Sequence, residues 1–74
     1  MPELEVPTEI TASVWKVMVK EGEHVAEDDT LMILESMKME IPLTAPENGV
    51  VKSLTVSEGS AVAQGDIVCV LNID

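Results

Sequence analysis

An all-β fold of two small antiparallel sheets is what this sequence predicts, and three observations predict it. The apolar residues fall in short runs, the longest being Ile67-Val68-Cys69-Val70-Leu71, and Gly, Pro, Asn and Asp separate them. Such runs, rich in β-branched residues, suit strands and turns rather than helices. Aromatic residues are nearly absent, with Trp15 alone and no Phe or Tyr, so the core must be aliphatic, built mainly from Val, Ile and Leu. The third observation is an internal repeat. Residues 12–35 align without a gap on residues 49–72 at an offset of 37, placing Val14 on Val51, Glu21-Gly22 on Glu58-Gly59, Val25-Ala26 on Val62-Ala63, Asp29 on Asp66 and Leu34 on Leu71. A repeat of this clarity means one supersecondary unit used twice.

The elements follow in order. Residues 1–11 carry Pro2 and Pro7 around Leu4-Glu5-Val6, which makes a short strand that the prolines confine to a sheet edge. Each repeat then opens with a long strand, Ser13 to Lys20 or Val50 to Ser57, and ends it at Glu-Gly, where the turn needs glycine's backbone freedom. Val17 and Val19 share one face of the first, and Leu54 and Val56 one face of the second. Val14 and Val51 have the wrong parity, so burying them as well requires a β-bulge near Trp15-Lys16 and another near Lys52-Ser53. A very short strand around Val25 or Val62 follows. After a turn at Asp28-Asp29 or Gly65-Asp66 comes the second long strand, Thr30 to Ser36 or Ile67 to Ile73. Asp28 stands where the other half has Gly65, and aspartate is among the few residues that tolerate a left-handed turn. Neither unit covers its own apolar face, so the two pack as a sandwich with a pseudo-two-fold axis.

Between the halves lies Glu35-Ser36-Met37-Lys38-Met39-Glu40, flanked by the strand-like Thr30 to Leu34 and Ile41 to Thr44. It reads as a tight hairpin turn, the most solvated place on a small β domain. Shifting Lys38 by the repeat offset lands at the chain ends, so the lysine tip and the termini are expected at opposite ends of the domain. Methionines normally avoid an exposed turn, yet Met37 and Met39 bracket this lysine. Glu-Ser-Met-Lys-Met closely resembles the attachment motif of biotinyl carrier domains, and the resemblance runs from about Ile10 to Leu71. It is strongest to the small free-standing biotin attachment proteins of bacteria. Lipoyl domains usually have Asp-Lys-Ala here, which this chain lacks.

The resemblance implies a single biotinyl-attachment domain over residues 1–74, folded as a flattened eight-strand barrel-sandwich. It implies biotin joined as an amide to the Lys38 ε-amine by a biotin protein ligase, and a carboxyl group shuttled between biotin carboxylase and carboxyltransferase sites. Some biotinyl domains carry an extra thumb in the first half; the gapless repeat leaves no room for one, so the cofactor is expected not to be gripped by its own domain. Two readings of Met37 and Met39 stand: they close the hairpin against neighbouring strands, or they form an apolar collar that partners read. Glu35 and Glu40 read as solvated or cross-strand charges rather than catalysts, and Trp15 as either a surface residue or a partner contact. Lys16, Lys20 and Lys52 lie on or beside long strands and are not expected to be modified.

Composition narrows the function classes. Fourteen acidic residues face four lysines, a net charge of −10, which argues against nucleic acid and anionic membrane, since both need clustered cations. Cys69 and His24 each stand alone, too few for a metal site, an internal disulfide or a Cys-His catalytic pair. No run approaches the length of a membrane span or a signal-peptide core. The expectation is a cytoplasmic, monomeric carrier that is not itself an enzyme. The alternatives are a lipoyl-type acyl carrier and a structural barrel-sandwich adaptor, whose hairpin would not need the lysine.

Overall fold

The computed structural model of the chain describes residues 2–73. They form eight strands: β1 (Glu3–Pro7), β2 (Ala12–Val17), β3 (His24–Val25), β4 (Thr30–Ser36), β5 (Met39–Thr44), β6 (Gly49–Leu54), β7 (Ala61–Val62) and β8 (Ile67–Ile73). Two antiparallel four-stranded sheets result, ordered β1-β8-β6-β3 and β5-β4-β2-β7. The repeat offset carries β2, β3 and β4 residue for residue onto β6, β7 and β8. It also carries β1 into β5, so the symmetry extends beyond the segment where side chains match. One sheet maps onto the other, strand for strand.

Each short strand pairs outside its own half. His24 and Val25 of β3 pair with Val50 and Gly49 of β6, and Val62 and Ala61 of β7 pair with Ala12 and Ser13 of β2. The turn glycines follow suit: the Gly22 N–H donates to the Val51 carbonyl at 2.7 Å, and the Gly59 N–H to the Val14 carbonyl at 2.8 Å. Both glycines have positive φ, 89° and 91°. The preceding glutamates also cross over, Glu21 accepting from the Leu54 N–H at 3.1 Å and Glu58 from the Val17 N–H at 3.2 Å. β2 and β6 end at Val17 and Leu54, three residues short of the sequence expectation at each. One further backbone bond continues each pairing, from the Met18 N–H to the Leu31 carbonyl at 2.9 Å and from the Thr55 N–H to the Val68 carbonyl at 3.2 Å.

The expected bulges are present, between Val14 and Lys16 in β2 and between Val51 and Ser53 in β6. They turn Val14 and Val51 inward, each 1% exposed. The core also holds Val25 with Val62, Leu31 with Val68, Leu34 with Leu71, and Met32 with Cys69, all pairs at the repeat offset. One expectation needs correcting: no isoleucine is fully buried, and Ile10 and Ile73 only pack against the core from its edge. Isoleucine's place is taken by valine and by Met32, whose unbranched side chain suits irregular core space. Thr8 and Ala45, again one offset apart, are buried at the crossings between sheets. Their N–H groups donate to the carbonyls of Asp66 and Asp29 at 2.9 and 2.8 Å.

The two crossings fix the orientation of the sheets. Pro7 pairs with Ile67, at the end of its sheet away from Glu3 and Asn72. The short link to β2 leads into Ala12, whose neighbour Ser13 pairs with Glu35 near the β4–β5 tip. The Lys38 tip therefore lies at one end of a molecule measuring 36 × 18 × 17 Å. The other end is where the Ile73 N–H donates to the Pro2 carbonyl at 2.8 Å.

Two predictions follow from the packing. A methyl at Gly49 would run into the backbone carbonyl of Asn72, so Gly49→Ala is expected to lower stability by about 1–3 kcal/mol in urea denaturation. Burial raises the Cys69 thiol from its ordinary 9.0 to about 11. The unfolded thiol ionises first, so the stability Cys69 contributes is full below pH 9 and lost as pH climbs towards 11. Denaturation midpoints from pH 8 upward, compared with those of Cys69→Ala, measure that loss.

Candidate functional site

The β4–β5 hairpin is closed by a two-residue turn. Ser36 pairs with Met39 and Glu35 with Glu40, leaving Met37 and Lys38 as its two central residues. Their φ angles are 52° and 66°, the left-handed pair that a type I′ turn demands and that Asn-Gly usually supplies. Strand twist imposes this geometry. A left-handed non-glycine residue costs roughly 1–2 kcal/mol, so this turn is built at the expense of stability.

All three residues singled out from the sequence meet here. Met37 is 91% exposed and Met39 65% exposed, so neither closes the hairpin against the neighbouring strands, and both stand as exposed apolar groups beside the lysine. Lys38 is exposed, and no side chain among the described residues holds its ammonium. The other lysines differ. Lys52 is paired with Glu3, Lys16 lies 5.2 Å from the centroid of the Trp15 ring, and Lys20 follows the end of β2. Only Lys38 sits in a hairpin turn.

The surroundings keep the tip clear. Pairing between β2 and β4 begins at Ser13 and Glu35, whereas the equivalent pairing of β6 with β8 begins one residue further out, at Gly49 and Ile73. Ala12 replaces glycine at the equivalent position, so the last residue of β4 and the turn extend past β2. The segments joining β2 to β3 and β6 to β7 are equal in length, so no inserted element rises beside the lysine. Glu35 and Glu40 face one another across the hairpin, two like charges on its outer side. Trp15, left open by the sequence, is the extra residue of the β2 bulge and is 43% exposed. Its offset partner Lys52 was the available signal that this position points outward.

An exposed amine on a β-turn, with no ion pair among the described residues, is open to covalent attachment of an acyl group. Residues 2–71 match the model of a family described as "Biotin-requiring enzyme", the biotin/lipoyl family. The chain belongs to that family. Among similar members, the "Biotinylated protein TB7.3 homolog" of Mycobacterium leprae (strain TN) is 44% identical over 68 residues, 92% of this chain and 96% of that protein. The "Biotin/lipoyl attachment protein" of Bacillus subtilis (strain 168) is 40% identical over 67 residues, 90% of this chain and 92% of that protein. Among solved structures, the urea carboxylase of Kluyveromyces lactis contains the same fold, with a TM-score of 0.90 and 30% identity. The match covers 97% of this chain but 6% of that enzyme, so in that protein the biotin/lipoyl fold is one small part of a much larger chain.

Replacing Met37 by asparagine, which accepts a left-handed backbone, is expected to raise stability by about 0.5–1 kcal/mol with Lys38 in place. Thermal denaturation of Met37→Asn against the parent chain measures it.

Proposed function

We propose that this chain is a biotin carboxyl carrier in which Lys38 is the attachment residue. The observation that carries this reading is the joint position of Met37, Lys38 and Met39 on an exposed turn at the end of the long axis. A biotin protein ligase, using ATP, activates the carboxyl group of biotin as an acyl-adenylate, and the ε-amine of Lys38 displaces AMP from it to form an amide. A lysine ammonium is not a nucleophile, so the ligase also removes its proton. Biotin, once attached, supplies the ureido nitrogen that takes up and releases a carboxyl group.

The chain's own part is positional. The β-sandwich holds the stem of Lys38 at a fixed place, the unhindered tip lets the side chain sweep, and Met37 and Met39 present an apolar collar that does not hydrogen-bond the amine. Tethering replaces free diffusion between a biotin carboxylase site and a carboxyltransferase site with a local search. No residue of this chain performs the chemistry, so it is a carrier and not an enzyme. Relatives within carboxylases support the pairing with such partners: 62 residues are 40% identical to the pyruvate carboxylase of Staphylococcus aureus (strain Mu50 / ATCC 700699).

A single cytoplasmic domain acting as a monomer goes with this reading. The four sheet edges are poor templates for a second chain: β1 and β5 contain Pro7 and Pro42, and β3 and β7 are two residues long. Behind the lipoyl alternative stand a dihydrolipoyllysine-residue acetyltransferase component of the pyruvate dehydrogenase complex of Pseudomonas aeruginosa, 38% identical over 63 residues, and the Bacillus subtilis relative, described as a biotin/lipoyl attachment protein. Met-Lys-Met in place of Asp-Lys-Ala favours biotin.

Intact mass after incubation with biotin ligase, biotin and ATP tests the assignment. The wild-type chain is expected to gain one biotin and Lys38→Arg none. A gain that persists in Lys38→Arg refutes the site, and a lipoyl-sized gain on co-expression with both ligases refutes the cofactor.

A further inference from the structure

The pseudo-two-fold symmetry provides an internal control for every surface position. The outer face of the β1-β8-β6-β3 sheet shows what this scaffold displays away from the lysine. There, Lys52 of the β6 bulge pairs with Glu3, and Glu5 lies beside Val70. One offset away, on the sheet that ends in Lys38, the same positions are Trp15, Glu40, Pro42 and Ile33. Ile33 pairs with both Lys16 and Pro42, so Ile33 and Pro42 adjoin, next to the bulge where the Lys16 ammonium lies 5.2 Å from the Trp15 ring centroid. Glu40 has lost its cation because a tryptophan stands where the lysine would be, and Glu35 replaces the neutral Asn72. No cation pairs with Glu35 or Glu40 among the described residues, although they face one another, an arrangement that is destabilising by itself.

Folding does not require these exchanges, since the other sheet folds in the same way without them. We propose that the outer face of the β5-β4-β2-β7 sheet is the surface on which biotin ligase docks, a role that presupposes Lys38 as the attachment point. Trp15 is the apolar anchor, and the Glu35–Glu40 pair meets basic side chains of the ligase. The occupant is the ligase for a geometric reason. It must bring its active site to the Lys38 amine itself, and the Ile33–Pro42 and Glu35–Glu40 pairs lie roughly 7 Å apart along β4, leading directly to that amine. Partners that act later meet only the far end of a long arm. Half-exposed tryptophan beside an apolar strip, rimmed by charge, has the make-up of an interface centre.

The test uses the exchange already present in the fold. Trp15→Lys installs the residue that the other half carries at this position, so the backbone accepts it, and circular dichroism checks that the melting profile is kept. Ligase kinetics on the apo-chain are expected to show KM raised about tenfold with kcat unchanged, while Lys52→Glu on the opposite sheet leaves both unchanged. Added salt is expected to raise the wild-type KM, and Glu35→Gln/Glu40→Gln to remove that dependence. The single indole resonance of Trp15 is expected to shift or broaden when ligase is added to the 15N-labelled apo-chain. Unchanged KM in Trp15→Lys together with an unmoved indole signal overturns the docking surface while leaving the attachment site standing. Normal loading of Trp15→Lys followed by defective carboxyl transfer also overturns it, and assigns the face to a carboxylase component instead. A wild-type chain that is not loaded on Lys38 overturns both readings.

Discussion

The structure depends on an exchange between its halves. Each repeat sends a two-residue strand, a turn glycine and a glutamate carboxylate across to the first long strand of the other. Without those partners β2 and β6 would each be sheet edges with open N–H groups, and a two-residue strand has no stability of its own. The exchange explains why Glu-Gly is repeated: glycine makes the turn, and glutamate reaches the strand opposite. It also explains how so few residues enclose a core without a large aromatic side chain. Valines from both halves interdigitate between the sheets, and the bulges supply the parity change that lets Val14 and Val51 join them.

Much of this was legible in the sequence because the repeat reports on itself. A gapless offset located both halves, and parity within Val14-Trp15-Lys16-Val17 was enough to place the bulge. The bounds of β4 and β8, and the places of the short β3 and β7 around Val25 and Val62, follow from the runs of apolar residues between turn residues. The ends of β2 and β6 did not: the apolar alternation runs on to Val19 and Val56, whereas strand pairing stops at Val17 and Leu54. Local pattern also holds no trace of the carboxylates, 33 and 41 residues away in the chain, that accept from those N–H groups. The symmetry of β1 with β5 was hidden for another reason. Backbone position is shared, but side chains such as Glu5 and Pro42 have diverged, since one strand serves an ordinary surface and the other supports the tip.

The candidate site was legible in identity but not in form. Met-Lys-Met announced where to look, and strand alternation brought Glu35 and Glu40 together. That both central turn residues are left-handed could not be read from them, because neither methionine nor lysine favours that conformation. The twist of the flanking strands dictates it, and well-paired strands stabilise it. The hairpin thus ends in two residues held against their preference, with the side chain proposed for attachment on the second.

Because each half completes the other, the contacts that close this molecule can equally be satisfied by two molecules. Opening the chain at residues 45–48, between β5 and β6, would let one copy's second half seat on the first half of another, with every strand pair retained. What keeps the exchange within one chain is kinetic proximity, since a link of four residues holds the second half at a local concentration that no ordinary solution reaches. Domain swapping is therefore the natural failure of this architecture. Shortening that link until it could no longer turn back on its own first half would favour intertwined dimers.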